Sequence, residues 1–314
     1  MSNFFVVGDV TVDLMYFVKE LPDAGGEVTV TRAVTEPGGA GGTIATTLAR
    51  LGHEVSIATC IGDGPFSELA LRNVLASGVD TSHVQRDNER QTGSVTLLIT
   101  PDAQRTMISS TGASRNLDAA YLDDSQIKNA DALVMSAYSL VGGLQREYAV
   151  NALSIAKQAG VTTFIDMGSG AVNALEDRLI SLVQNVDYLL MNQKELYILT
   201  GEDSISNAVT ELATEGIKRI IVKVGEMGSI VVTPELNELV DALEVDGVLD
   251  TTGAGDYYTA AFAHSIMEGD DLITAARYGN IAGALNTMQV GAQKAEINKE
   301  ILEQYFDDIM AVES

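Results

Sequence analysis

The 314 residues carry 44 Asp and Glu against 19 Lys and Arg, a formal net charge of −25, and 46% of them are hydrophobic. That apolar share supports a large core and excludes disorder, while the acidic balance argues against nucleic acid or an anionic membrane as partner. The single cysteine, Cys60, excludes an internal disulfide and a four-cysteine zinc site.

No basic leader and no run of about 18 apolar residues is found, so a soluble, cytoplasmic protein is expected. Length alone permits one domain or two. Along the chain, strand alternates with helix. "FFVVGDVTVDLMYF" is apolar and β-branched, with Asp9 and Asp13 expected at the end of this first strand, the edge where open parallel sheets bind ligands. "GGTIATTLARLG" predicts a helix ending at Gly52, "EVSIATCIG" a buried strand, and "FSELALRNVLASG" a helix closed by Gly78. Strands "DALVMSAY", "VTTFIDMG", "DYLLMN" and "RIIVKVG" then alternate with helices "REYAVNALSIAKQAG", "DRLISLVQN" and "SNAVTELATEG". This rhythm predicts an α/β fold whose parallel sheet is covered on both faces. Residues 27–35 and 93–110 break it with period-two alternation and a turn near Pro101-Asp102. They predict a small antiparallel sheet projecting over a ligand site.

Several chemistries are absent. No Lys follows a Gly, so there is no Walker A loop; no protein-kinase signature and no G-x-S-x-G elbow is found. His53, His83 and His264 are scattered without ligand spacing and are expected to be ordinary residues. The glycines of "EPGGAGGTIATTLARLG" do not fit G-x-G-x-x-G, and Pro37 rather than a buried strand is expected before them, so a dinucleotide oxidoreductase is disfavoured. Gly38, Gly39, Gly41 and Gly42 would let backbone approach a ligand at a helix start; a turn capped by Thr43 explains them equally well.

Asn192 and Glu195 in "MNQKELYILTG" stand three apart after a strand. That spacing suits an Mg²⁺ held through water, and it also makes a capping box. Gly225 and Gly228 in "VKVGEMGSIVV" mark a hairpin turn or a nucleotide-contacting loop. The most telling stretch is "VLDTTGAGDYYTAAFAHSI". Backbone amides of Gly253, Ala254, Gly255 and Asp256 at a helix start would form a nest for developing negative charge. The Asp256 carboxylate beside them would accept the proton of an attacking hydroxyl, kept ionised by the helix dipole.

"DTTGAGD" (250–256) resembles the C-terminal signature of ribokinase-like, phosphofructokinase-B-type carbohydrate kinases. "GDVTVD", "GGAGGTIATTLARLG", "IGDG", "MNQKELYILTG", "VKVGEMG" and "ARYGNIAGALNTMQVGA" follow that family's order over nearly the whole chain. The resemblance implies a single 1–314 domain: a three-layer α/β/α sandwich with a mainly parallel sheet and a β lid drawn from about 14–36 and 91–110. It implies an ATP- and Mg²⁺-dependent phosphotransferase acting on the hydroxymethyl group of a sugar or sugar derivative, dimerising through the lid.

By the same resemblance Asp256 is the base and the Gly253–Asp256 amides are the anion hole. Asp13 and the Gly38–Gly42 backbone, with Thr43, contact the sugar. Asn192, Glu195, Lys223, Gly225, Gly228 and Asn280 serve ATP and Mg²⁺, Glu195 reaching the metal through water. Asp250 and the Thr252 carbonyl match a K⁺ site. Lid residue Arg105 is a candidate contact for an acidic or phosphorylated substrate. Departures stand at Ala40, where ribokinases carry Lys, at Thr43, where they carry Asn, and at Ala295, where some members have Ser near the cation. Tyr257 replaces a small residue and is expected either to narrow the pocket or to supply a hydroxyl to it, and "FIDMGSG" lacks an Asn and an Arg common in fructokinase-like members. A nucleoside kinase, or a silent sugar-binding regulatory protein, remains open.

Overall fold

The computed structural model describes residues 1–102, 105–175 and 178–313. Strands β1 (Asn3–Val7), β4 (Glu54–Gly62), β5 (Val84–Asp87), β8 (Ala132–Ser136), β9 (Thr162–Asp166), β10 (Tyr188–Asn192), β11 (Ile220–Lys223), β12 (Ser229–Val232) and β13 (Asn237–Val240) form one sheet in the order β13-β12-β11-β10-β9-β8-β1-β4-β5. The pairings from β11 through to β5 are parallel, and β12 and β13 add antiparallel strands at one edge. Strand sequences are near-continuous apolar runs because both faces are covered. Phe5, Val7, Leu133 and Met135 point into one core, and Phe4, Val6, Ala132 and Val134 into the other.

The helices are α1 (Ala40–Arg50), α2 (Pro65–Ala76), α3 (Asp124–Asn129), α4 (Gly143–Ala159), α5 (Ser169–Leu175), α6 (Arg178–Val183), α7 (Gln193–Thr200), α8 (Ile205–Thr214), α9 (Ala254–Glu268), α10 (Leu272–Thr287) and α11 (Lys299–Glu313). Residues of α4, α7 and α8 fill the first core; those of α1, α2, α9 and α10 fill the second. Helix α6 accounts for the expected 177–185 helix, whose first residue lies outside the described residues, and α5 was not foreseen.

A second sheet, β3-β2-β6-β7, is built from β2 (Thr11–Phe17), β3 (Arg32–Gly38), β6 (Ser94–Ile99) and β7 (Arg105–Ser110). Met15, Leu97 and Ile99 form its small core. Two expectations change here. The first apolar run is not one strand: Gly8 to Val10 break it, so Asp13 belongs to the lid sheet rather than to the end of β1. The 27–35 alternation is a strand only from Arg32, and it continues through Pro37 to Gly38, so a strand does precede the glycines. Pro37 is tolerated because β3 is an edge strand.

Candidate active site

The loop before α9 is shaped by Asp250. Its Oδ1 accepts from the Thr252 amide at 2.9 Å and the Thr252 hydroxyl at 2.6 Å; its Oδ2 accepts from the Gly291 amide at 3.0 Å. Gly253 caps α9 at φ 82°, and a Cβ there would lie 2.7 Å from the Ala292 carbonyl, so only glycine fits. The Ala254 amide donates to the Thr251 carbonyl at 3.3 Å, closing a turn, and is therefore withdrawn from the expected anion hole. Among the described residues, the amides of Gly253, Gly255 and Asp256 have no acceptor.

These amides border a cleft of about 1340 Å³ between the lid and the carboxyl ends of the parallel strands, lined also by Asp13, Asp166, Asn192, Glu195 and Lys223. Its placement follows the rule for open α/β sheets. The Asp256 carboxylate lines it and accepts no hydrogen bond from the described residues. Burial, then the neighbouring Asp166, Asp13 and Glu195, raise it to about 8, against a smaller opposing pull from Lys223. The expected ionisation by the helix dipole is thus overridden: a half-charge at the helix end cannot offset desolvation plus three acids.

The floor of the cleft is a strand-end cluster. Register sets Asn192 beside Lys223 and Leu190 beside Asp166 across parallel pairs. Lys223 Nζ lies 2.5 Å from Asp166 Oδ1 and 3.5 Å from the Gly255 carbonyl. Burial alone would lower the Lys223 ammonium, but Asp166 and Glu195 hold it above its ordinary value. Asp166 is raised to about 6 by burial, partly offset by Lys223. Asn192 and Glu195 form the capping box, with Glu195 Nα to Asn192 Oδ1 and Asn192 Nα to Glu195 Oε2 both at 2.9 Å. Ser169 Oγ donates to Glu195 Oε1 at 3.1 Å. Asp166 was missed from sequence; its signal was a lone carboxylate at the carboxyl end of the buried run "VTTFID".

Of the expected sugar contacts, Asp13, Gly39 in the 38–42 backbone, and Arg105 line the cleft, as does Ala40. Asp13 is buried and raised to about 7 by burial and by Asp250. Gly38, Gly41, Gly42 and Thr43 do not line it. Gly41 packs against Gly8, where a Cβ would sit 2.5 Å from the Gly8 carbonyl carbon, so this glycine serves a backbone crossing. Thr43 is fully buried inside α1 rather than capping it, its hydroxyl donating to the Gly39 carbonyl at 3.0 Å. Tyr257 is likewise fully buried and does not narrow the pocket: its hydroxyl donates to the Ala295 carbonyl at 2.9 Å. The tyrosines that line the cleft are Tyr138 and Tyr258, the latter donating to Ser229 Oγ at 2.8 Å.

Of the residues expected to serve ATP, Gly225, Gly228 and Asn280 line the cleft, and Gly225 to Met227 make a short turn between antiparallel β11 and β12. Asn280 is a tie: its Nδ2 donates to the carbonyls of Val240 and Asp241 at 2.9 and 3.0 Å, which commits its donor group to the protein. The expected K⁺ ligands are engaged too. The Thr252 carbonyl accepts from Asn286 at 2.8 Å and Arg105 lies 3.9 Å from Asp250, an arrangement that does not favour a further cation there. The histidines, scattered in sequence, are partly gathered by the fold: His53 Nε2 and His264 Nδ1 are 2.7 Å apart, because helix α9 brings the latter against the turn after α1.

Residues 1–299 match the family model described as pfkB family carbohydrate kinase. The chain belongs to that family. It is therefore a kinase of the carbohydrate-kinase family. It is 26% identical to the ribokinase of Haemophilus influenzae, over 92% of this chain and 94% of that one. It is 29% identical to the ATP-dependent ribose-1-phosphate kinase of Halopiger xanaduensis, over 94% and 95%. Among solved folds, Arabidopsis thaliana ribokinase complexed with ribose and ATP superposes with TM-score 0.82 at 24% identity, covering 96% of this kinase and 98% of that chain. Adenosine kinase from Sinorhizobium meliloti superposes with TM-score 0.86 at 22% identity, covering 97% and 99%. No helix among the described residues is long and apolar enough to cross a membrane.

Proposed function

We propose that this kinase transfers the terminal phosphoryl group of ATP to a hydroxymethyl group of a small sugar or sugar derivative. The observation that carries the reading is the pairing of an unbonded Asp256 carboxylate with three unclaimed amides on the same cleft wall. Asp13 and the Gly39 backbone orient the acceptor's hydroxyls. Asp256 takes the proton of the hydroxyl as it attacks. The Gly253, Gly255 and Asp256 amides hold the charge that spreads over the transferring group; one such donor is worth roughly 2.7–4 kcal/mol in barrier height.

Asp166, Glu195 and Asn192 line the same cleft as Asp256 and offer hard oxygens, which fits Mg²⁺ with most of its waters retained. When bound, Mg²⁺ supplies neutralisation of phosphate charge and draws Asp256 toward its ionised form. Gly225 and Gly228 fit the adenosine side. The lid residues lining the cleft are Asp13, Val95, Leu97, Arg105 and Met107, none aromatic among the described residues, which favours a sugar over a nucleobase-bearing acceptor. Exposed Met107 and Ile108 on edge strand β7 suit pairing of two copies through their lids, which light scattering tests. The substrate test is a turnover screen over sugars, sugar phosphates, sugar acids and nucleosides, read by ADP release.

Arg105 favours one refinement, an acceptor with an anionic group. One hydrogen bond, from its Nη1 to Thr252 Oγ1, and the 3.9 Å ion pair with Asp250 engage it among the described residues, and it is the cleft's cation on the lid side. Its remaining donors match a carboxylate or phosphate. The Halopiger relative is described as acting on a sugar phosphate. Faster turnover of ribose 1-phosphate or a sugar acid than of the neutral sugar supports this refinement; the reverse order removes it while leaving the kinase reading intact.

A further inference from the structure

His264 and Glu268 stand four residues apart on α9 and so share one face. His53, 211 residues earlier than His264, closes on them from the turn between α1 and β4. A ligand atom from each of the three lies within 4.8 Å of the others. Both imidazoles are buried, while the Glu268 side chain is 29% exposed and opens the cluster to solvent. We propose that His53, His264 and Glu268 form a binding site for a divalent transition ion of the zinc type.

Two imidazole nitrogens and one carboxylate oxygen are a donor set that borderline ions take and hard Mg²⁺ does not. Three protein ligands leave a fourth tetrahedral position for water. The cluster is separate from the cleft: His264 lies about 12 Å along α9 from Asp256 at a rise of ~1.5 Å per residue.

The metal-free arrangement indicates what the ion replaces. The Ser2 amide donates to His53 Nδ1 at 3.1 Å, so that nitrogen accepts and His53 Nε2 carries the proton it gives to His264 Nδ1. An ion bound to both rings stands where that proton is. With metal–nitrogen bonds of ~2.0–2.1 Å and a near-tetrahedral angle, the nitrogens separate to about 3.3 Å. The His53 proton moves from Nε2 to Nδ1, the Ser2 amide turns away, and the two rings together lose no proton. Glu268 exchanges a cation for the ion: Lys299 Nζ now lies 2.9 Å from its Oε2, and the Met1 ammonium 3.6 Å from its Oε1. Lys299 is therefore the competitor. The bound ion would pin the turn after α1 to the last turn of α9.

The test titrates the full chain with Zn²⁺ by calorimetry and with Co²⁺ by visible absorption, in excess Mg²⁺ to occupy the oxygen-lined cleft. The expected result is one ion per chain with a four-coordinate Co²⁺ spectrum and a raised Tm. H264Q abolishes binding, E268Q weakens it by roughly 10–100-fold, and K299M tightens it several-fold. Because E268Q and K299M alter half-exposed side chains, they carry the test if H264Q does not fold. The proposal is overturned if no Co²⁺ spectrum develops at stoichiometric concentration, or if E268Q and K299M bind as wild type does.

Discussion

The Arg105 guanidinium of the lid donates to the Thr252 hydroxyl at 2.9 Å, one residue before the glycine that caps α9. Strand β7 and the loop before α9 are thereby joined across the mouth of the cleft. A hydrogen bond from a charged group is worth about 1.5–3 kcal/mol, so R105Q is expected to lower kcat/KM for the acceptor by roughly tenfold or more. The fold should be untouched, because the arginine sits on a lid strand. Steady-state kinetics with a circular dichroism control checks this; unchanged kcat/KM removes the latch.

Tyr257 separates neighbours of the base from participants. Its hydroxyl is spent on the Ala295 carbonyl and accepts from Arg50 at 3.3 Å. Y257F is expected to cost about 1 kcal/mol of stability and to leave kcat and both KM values as they were. A large change in acceptor KM with wild-type stability would put the ring back in the pocket.

Gly38 is where packing meets the proposed acceptor contact, Asp13. A Cβ there meets the Asp13 carboxylate. G38A therefore displaces Asp13, and overpacking of this kind costs about 1–3 kcal/mol. The expected result is a lower Tm together with a raised acceptor KM and an unaltered ATP KM, which separate titrations of the two substrates measure.

Stability should fall between about pH 6.5 and 8 in the metal-free protein. Burial raises both Asp256, to about 8, and Asp13, to about 7, with Asp166, Asp13 and Glu195 adding to the first and Asp250 to the second. An unfolded Asp releases its proton near ~3.9, so above that value the folded form binds more protons, and its advantage is lost as pH climbs through the folded values. His53 acts in the other direction: burial lowers it to about 4 against an unfolded ~6.5, so its effect is confined below that. Thermal melts should show Tm dropping across the window, and D256N should flatten the drop. An equal slope in D256N would mean that Asp256 is already ionised.

Much of this was legible in the chain. Apolar runs such as "VTTFID" and "DYLLMN" declare buried parallel strands, and "TTGAGD" before an amphipathic helix declares an amide nest. Legibility failed where contacts across the fold decide. The Lys223–Asp166 pair spans 57 residues, and the His53–His264 contact spans 211, so neither leaves a local spacing. Residue type also misled at Gly41 and Thr43: a glycine that admits a ligand and one that admits Gly8 look the same in one dimension. The protonation of Asp256 follows first from its burial and then from the surrounding acids, neither of which its position at a helix start reveals.

The most direct measurement is single-turnover phosphoryl transfer by D256N, on whichever acceptor the wild type uses, with the mutant's melt recorded alongside. The account predicts a rate lower by roughly 10²–10⁴ in a protein whose Tm at pH 8 is equal to or above that of the wild type. A mutant that transfers phosphate at the wild-type rate would contradict it.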